Sequence, residues 1–159
     1  MKTLVLGLGN ELYGDDGVGI HVVRSIRETF AEGRNLSESL KDTDFVESSL
    51  SGLSLLDVII GYDRLIIIDT IKKSDPDPGK IHILEEKDLR HIPGPSPHYV
   101  SIPQAIEIGK RIGLKVPVEI MIIAVEAKNM YNLGEVLSQA MKKAIPRIVS
   151  AVEKLLFED

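Results

Sequence analysis

The chain of 159 residues contains no cysteine. That absence removes disulfides, thiolate zinc sites and a cysteine nucleophile, although it does not by itself fix a compartment. Basic charge is also scarce: 19 Lys and Arg stand against 24 Asp and Glu, a formal net charge of −5. A nucleic-acid binder rests its affinity on clustered cations, so no nucleic acid is expected as a partner. No window approaches the ~20 apolar residues of a spanning helix. The apolar stretch Thr3 to Leu8 is too short for an export signal and runs into a glycine turn. No membrane partner and a cytoplasmic location are therefore expected. Two hydrolase signatures are missing as well. There is no H-E-x-x-H, and Gly52-Leu53-Ser54-Leu55-Leu56 lacks the final glycine of a nucleophile elbow.

What is present describes an ordinary globular protein, 43% apolar and 27% charged. Its length suits one domain over residues 1–159, large enough to bury a core without staples. Leu4-Val5-Leu6 reads as a buried strand. Gly19, Val22, Val23, Ile26 and Phe30 recur at helical spacing and predict a helix from about Asp16 to Ala31. Residues 32–42 read as a polar connector, Asp44 to Ser49 as a weaker strand, and Leu53, Leu56 and Ile60 as a short helix. Leu65-Ile66-Ile67-Ile68 is the clearest strand, because aliphatic residues without alternation imply burial on both faces, as in a parallel sheet.

A turn follows at Ser74 to Gly79, then an alternating, half-exposed edge strand from Lys80 to Glu85. Three prolines predict a loop over Ile92 to His98. Ser101 and Gln104 form a capping-box pattern for a helix to about Ile112. Val118 to Val125 is another buried strand, and Leu133 to Phe157 an amphipathic helix that Pro146 should kink or divide. Strands alternating with helices give an α/β domain with a mostly parallel sheet, whose sites collect beyond the carboxyl ends of the strands.

One candidate site is the loop "GNELYGDDGVG", residues 9–19. Gly7 and Gly9 begin a dinucleotide fingerprint, but Leu12 stands where its third glycine belongs. Gly9 and Gly14 have P-loop spacing, yet Asp15 and Asp16 replace the lysine and the hydroxyl. Two carboxylates repel a phosphate, so both nucleotide readings fail. Asp15 or Asp16 as a helix cap is the simpler alternative. Capping leaves Gly17 and Gly19 unexplained, since glycine in a first helical turn costs ~1 kcal/mol against alanine. Their presence points to a close backbone approach.

Asp69 directly follows the aliphatic strand and so falls in the predicted crevice; a turn hydrogen bond is its simpler reading. His98, in "PGPSPHYVS", lies in a proline-stiffened loop, whereas His21, His82 and His91 read as incidental. If Asp16, Asp69 and His98 converge, they offer O, O and N ligands to a divalent transition metal with positions left open. The residues alone do not name a reaction.

"VLGLGNELYGDDGVG", "LIIIDT" and "SPHYVSIPQAI" resemble, in order and spacing, the three motifs of the hydrogenase maturation proteases. These endopeptidases finish nickel–iron hydrogenase large subunits. "AVEAKNMYNLGEVLSQAM" resembles their last strand and helix entry, and the similarity spans roughly residues 2 to 155. The resemblance implies a three-layer α/β/α sandwich around a twisted, mostly parallel five-stranded sheet. It implies that Asp16, Asp69 and His98 contact nickel and serve catalysis, with Gly9, Asn10, Asp15 and Gly17 contacting substrate. It implies removal of a C-terminal extension from the nickel–iron hydrogenase large-subunit precursor. The nickel is supplied by that precursor, so no tightly bound cofactor is expected, and the protein is expected to be a monomer or weak dimer. A non-cleaving chaperone that holds the precursor through the same ligands is the alternative. Two departures stand out: Glu47-Ser48-Ser49 where family members often have a Gly-Gly turn, and Ala127 where a proline is common.

Overall fold

A computed structural model describes residues 1–31, 40–90, 97–128, 130–134 and 136–157, with side chains described for all of these except 31, 89, 90 and 97–101. The expected strands form one five-stranded sheet in the order β2-β1-β3-β5-β4. These are β1 (Thr3–Leu8), β2 (Thr43–Ser48), β3 (Arg64–Ile71), β4 (Ile81–Glu85) and β5 (Glu119–Glu126). The pairings β1–β2, β1–β3 and β3–β5 are parallel, and β4 runs antiparallel to β5 at the edge. Every residue of β1 and β3 is buried, which is why their aliphatic runs show no alternation.

Alternation decides which side chains meet which helices. Leu4, Leu6, Leu65, Ile67 and Ile122 face one core with Leu55, Leu56, Ile59, Ile102 and Ile106. Those partners come from a 3₁₀ turn (Gly52–Leu55), α2 (Leu56–Ile59) and α3 (Pro97–Arg111). Val5, Ile66, Ile68, Ile123 and Val125 face the other core with Val22, Val23, Ile26, Met141, Ile148 and Val152. These belong to α1 (Val18–Ala31) and α4 (Gln139–Phe157). The result is the three-layer α/β/α arrangement that the resemblance implies. Among the described residues, no helix is long and apolar enough to cross a membrane.

Three expectations need correction. The third helix begins at Pro97, not after Ser101, so His98 sits in its first turn and not in a loop; residues 92–96 lie outside the described set. Proline at the first helical position gives up only an N–H that has no intrahelical partner, so Pro97 starts the helix it was read as preventing. Second, α4 starts at Gln139 and runs through Pro146 as one helix. An interior proline costs about 3 kcal/mol, while each fully buried large aliphatic side chain contributes about 1.5–3 kcal/mol. Met141, Ile148 and Val152, all fully buried, outweigh the proline, which lies on the solvent face. Third, α1 is entered through a 3₁₀ turn, Gly14–Gly17, so both Asp15 and Asp16 precede the helix proper. Of the connector 32–42, residues 32–39 lie outside the described set.

Candidate active site

From β1 the chain passes to β2 on one side, whereas β3, on the other side of β1, leads on toward β4 and β5. The carboxyl ends of β1 and β3 therefore flank a topological switch point, where open α/β sheets open a crevice. The loop that carries Asp16 leaves the end of β1, and Asp69 lies near the end of β3.

The glycines place that loop. A Cβ on Gly19 would stand 2.4 Å from the Ile68 carbonyl oxygen and 2.6 Å from that of Leu8. The start of α1 thus rests directly on the backbone of β1 and β3. Gly9 has φ +143°, and a Cβ there would stand 1.9 Å from the Asp16 carbonyl oxygen. The close approach that the glycines announce is to the protein's own chain. Gly9 and Gly17, expected at the substrate, are both buried, with Gly17 packed against the backbone of Glu11.

Asp15 and Asp16 have different surroundings. Asp15 is fully buried, and its two carboxylate oxygens accept from the Ser138 N–H at 2.7 Å and the Ser138 hydroxyl at 2.9 Å. Ser138 Oγ in turn accepts from the Met141 N–H at 3.3 Å, so Ser138 caps α4 and Asp15 holds the cap. The position expected to touch substrate ties the loop to α4. Hydrogen bonds to a charged group each contribute about 1.5–3 kcal/mol. Asp15→Ala, which removes two of them, is therefore expected to lower stability by about 3–6 kcal/mol, read as a fall in the urea midpoint. A loss under about 0.5 kcal/mol would show that the cap does not need it.

Asp16 is half-buried. One oxygen accepts from the Asn10 N–H at 2.9 Å and the other from the Thr70 hydroxyl at 3.1 Å. Asn10 shapes the loop further, its side-chain oxygen accepting from the Leu12 N–H at 3.0 Å. Asp69 is fully buried, and its Oδ1 accepts from the Thr70 N–H at 2.7 Å. Alternation sends Asp69 toward the α3 face and Thr70 toward the α1 face, where the Asp16 turn lies. Thr70, which the sequence reading passed over, thus touches both carboxylates, Asp69 through its backbone N–H and Asp16 through its hydroxyl. Its contact with Asp16 spans 54 residues, and no local pattern signals it.

Salt bridges hold the outer wall. Arg24 of α1 donates to Glu11 in the loop at 2.7 Å and to Glu47 of β2 at 3.1 Å. The Arg24 bond holds the Glu11 carboxyl below its ordinary range, and the two glutamates raise the guanidinium's. Glu47, the acidic residue just before the first departure at Ser48-Ser49, thus anchors β2 to α1. At Ala127, the second departure, the N–H donates to the Ile71 carbonyl at 3.1 Å, a bond that proline lacks.

A second acidic residue, Glu126, ends β5 and is buried. Burial pushes its carboxyl up, but hydrogen bonds from His82 and the Asp77 N–H, with the Lys73 charge, outweigh it and hold it low. His82, read as incidental, is 3.0 Å from Glu126, so this cluster fastens the 74–79 turn to β5. The His98 side chain lies outside the described set, so its approach to Asp16 and Asp69 does too. Among the described residues, no three His, Asp or Glu side chains are grouped to hold a metal ion.

Beside the loop lies a groove of about 510 Å³, lined by Leu12, Val136, Leu137 and Ile145 among others. Leu12, Leu133 and Val136 are 59%, 71% and 78% exposed, and the Gly134 N–H donates to the Leu12 carbonyl, so apolar surface collects beside the loop. Such surface marks a binding face more often than a bare monomer face.

Comparison with known proteins bears directly on this arrangement. The family described as HycI, hydrogenase maturation protease, matches residues 20–155. The hydrogenase expression/formation protein HupD of Rhizobium leguminosarum bv. viciae is 24% identical over 158 residues, 98% of this chain and 74% of that protein. The maturating endopeptidase HybD from Escherichia coli superimposes with a TM-score of 0.78 at 23% identity, over 99% of this chain and 93% of that one. The [NiFe] hydrogenase maturation protease HybD of Thermococcus kodakarensis gives 0.73 at 25% identity, over 98% and 99%. The family match over most of the chain, with the fold it shares with these structures, shows that this chain belongs to the hydrogenase maturation protease family, a family of endopeptidases.

Proposed function

We propose that this protein removes the C-terminal extension from the nickel-loaded precursor of a nickel–iron hydrogenase large subunit. In this reading the nickel is part of the substrate, and its contact with the enzyme marks a precursor as loaded. Asp16, Asp69 and His98 are the residues that engage it. The observation that supports the reading is that Asp16 and Asp69 both lie at the switch point beside the carboxyl ends of β1 and β3, each hydrogen-bonded to Thr70, in a chain of this family. Hard carboxylate oxygens suit a divalent cation, and the half-buried Asp16 is reachable from the crevice.

Asp16 is also the residue placed to act as general base. Each of its oxygens accepts one hydrogen bond from the described residues and keeps a second lone pair for a water. It takes the water's proton as the oxygen attacks the scissile carbonyl, and the proton passes on to the departing amine. Asp69, fully buried near the carboxyl end of β3, borders the same crevice from the sheet side. Asn10 contacts the substrate from the loop, while Gly9, Asp15 and Gly17 fix the loop's shape. The apolar surface around Leu12, Leu133 and Val136 suits a protein substrate better than a small molecule.

Intact mass of a nickel-loaded precursor after incubation with this protein tests the activity. Loss of a C-terminal peptide supports the protease. Unchanged mass in a stable complex would instead support a non-cleaving holder of the precursor.

A further inference from the structure

Thr70 makes two hydrogen bonds in different directions. Its backbone N–H reaches Asp69 Oδ1 at 2.7 Å, and its side-chain hydroxyl reaches Asp16 Oδ1 at 3.1 Å. It is fully buried, so neither group has water as an alternative partner. Asp69 belongs to a central strand whose register against β1 and β5 is fixed. Asp16 belongs to a four-residue 3₁₀ turn, an element without a ladder of its own. The rigid strand therefore has a single side-chain hydroxyl reaching across to the loop carboxylate.

The only other hydrogen bond to the Asp16 carboxylate among the described residues comes from Asn10, in the same loop. A bond within the loop moves with the loop and cannot set its position against β3. Gly19 seats the start of α1 on β3, but among the described residues the Thr70 hydroxyl makes the one side-chain hydrogen bond from β3 to the Asp16 carboxylate itself.

We infer that Thr70 is a positioning residue: it sets the orientation of Asp16 relative to Asp69, and so the geometry in which the two carboxylates meet a substrate. The inference rests on the functional reading above. Geometry of this kind is expensive to lose, since displacing a reacting group by about 1 Å costs about 100-fold in rate. The methyl group of Thr70 has no part in it; the hydroxyl does.

Thr70→Val keeps the shape and removes the donor, whereas Thr70→Ser keeps the donor and removes the methyl. With nickel-loaded precursor and saturating enzyme, Thr70→Val is expected to lower the single-turnover cleavage rate about 10- to 100-fold. Thr70→Ser should restore the rate to within about threefold of wild type. Thr70→Ala, which also lacks the donor, replaces Thr70→Val if that variant does not fold. Equal rates for Thr70→Val and wild type overturn the inference, as does a Thr70→Ser defect as deep as that of Thr70→Val. If the wild type does not cleave, the functional reading fails, and crystal structures of the variants still decide the role of Thr70. An Asp16 carboxylate that keeps its orientation in the donor-less variant would overturn it; a reoriented carboxylate, restored in Thr70→Ser, would support it.

Discussion

Asp16→Asn is expected to abolish processing of the large-subunit precursor while leaving the protein folded. The change is isosteric, and it removes the charge and proton affinity that a general base requires. General-base catalysis contributes about 100- to 10,000-fold, so the residual rate should fall by at least about 100-fold. The folded state loses little. An asparagine at 16 still presents one oxygen, so one of the two donors, Asn10 N–H or Thr70 hydroxyl, keeps its acceptor. When the Asn10 N–H keeps the oxygen, the Thr70 hydroxyl accepts from the new amide NH2 instead, so the loss is about 1 kcal/mol. Single-turnover cleavage followed by mass, beside a urea titration, separates the two effects. A fully active Asp16→Asn enzyme would rule out Asp16 as the base.

The second large effect belongs to the fold that carries the site. Gly19→Ala is expected to destabilise the protein by about 3–5 kcal/mol, a large part of the roughly 5–15 kcal/mol that holds a domain together. The added Cβ would meet the Ile68 and Leu8 carbonyl oxygens at 2.4 and 2.6 Å. These are backbone atoms of adjacent central strands, locked by the pairing of Gly7 with Ile68, and they cannot step aside. Relief requires α1 to lift from the sheet, which carries the preceding turn and Asp16 away from Thr70. Gly109→Ala is the control. There the Cβ would meet side-chain methyl carbons of Val116 and Leu56 at 2.6 and 2.9 Å. Those groups can rotate, and the gain in helix propensity of about 1 kcal/mol offsets part of the crowding. Urea midpoints of the two variants should therefore differ clearly. Equal midpoints would mean that the α1–sheet contact is softer than its geometry indicates.

These predictions show which parts of the molecule a reader of the sequence can see. The β3 run Leu65 to Ile68 announced a strand buried on both faces, because burial removes alternation. Asp16 and Asp69 drew attention because the sequence puts them after aliphatic strands, where α/β sheets place their sites; Asp69 lies within the last three residues of β3 itself. Gly17 and Gly19 were legible as a close approach, but not as an approach to the protein itself. A glycine records that space is missing and not what fills it.

Other features depended on contacts that sequence distance conceals. The Asp15 partner is 123 residues away, and the Thr70 partner 54. Neither leaves a periodic trace. The start of α3 was misplaced because Ser101 and Gln104 mimic a helix entrance, while Pro97 begins the helix and Pro103 lies inside it. Burial of Ile102, Ala105 and Ile106 against the sheet decides that segment, and local propensity yields to it. Of the two readings of Pro146, division of the helix is overturned for the same reason: the packed face of α4 outweighs one lost hydrogen bond.

The most direct test of the account uses one large-subunit precursor from the same organism, prepared nickel-free and nickel-loaded. Each is incubated with this protein, and intact masses are recorded. The account predicts that a C-terminal peptide is lost from the loaded precursor alone, and that Asp69→Asn prevents the loss. Equal cleavage of both forms would contradict the reading of nickel by the enzyme, and cleavage of neither would contradict the proposed activity.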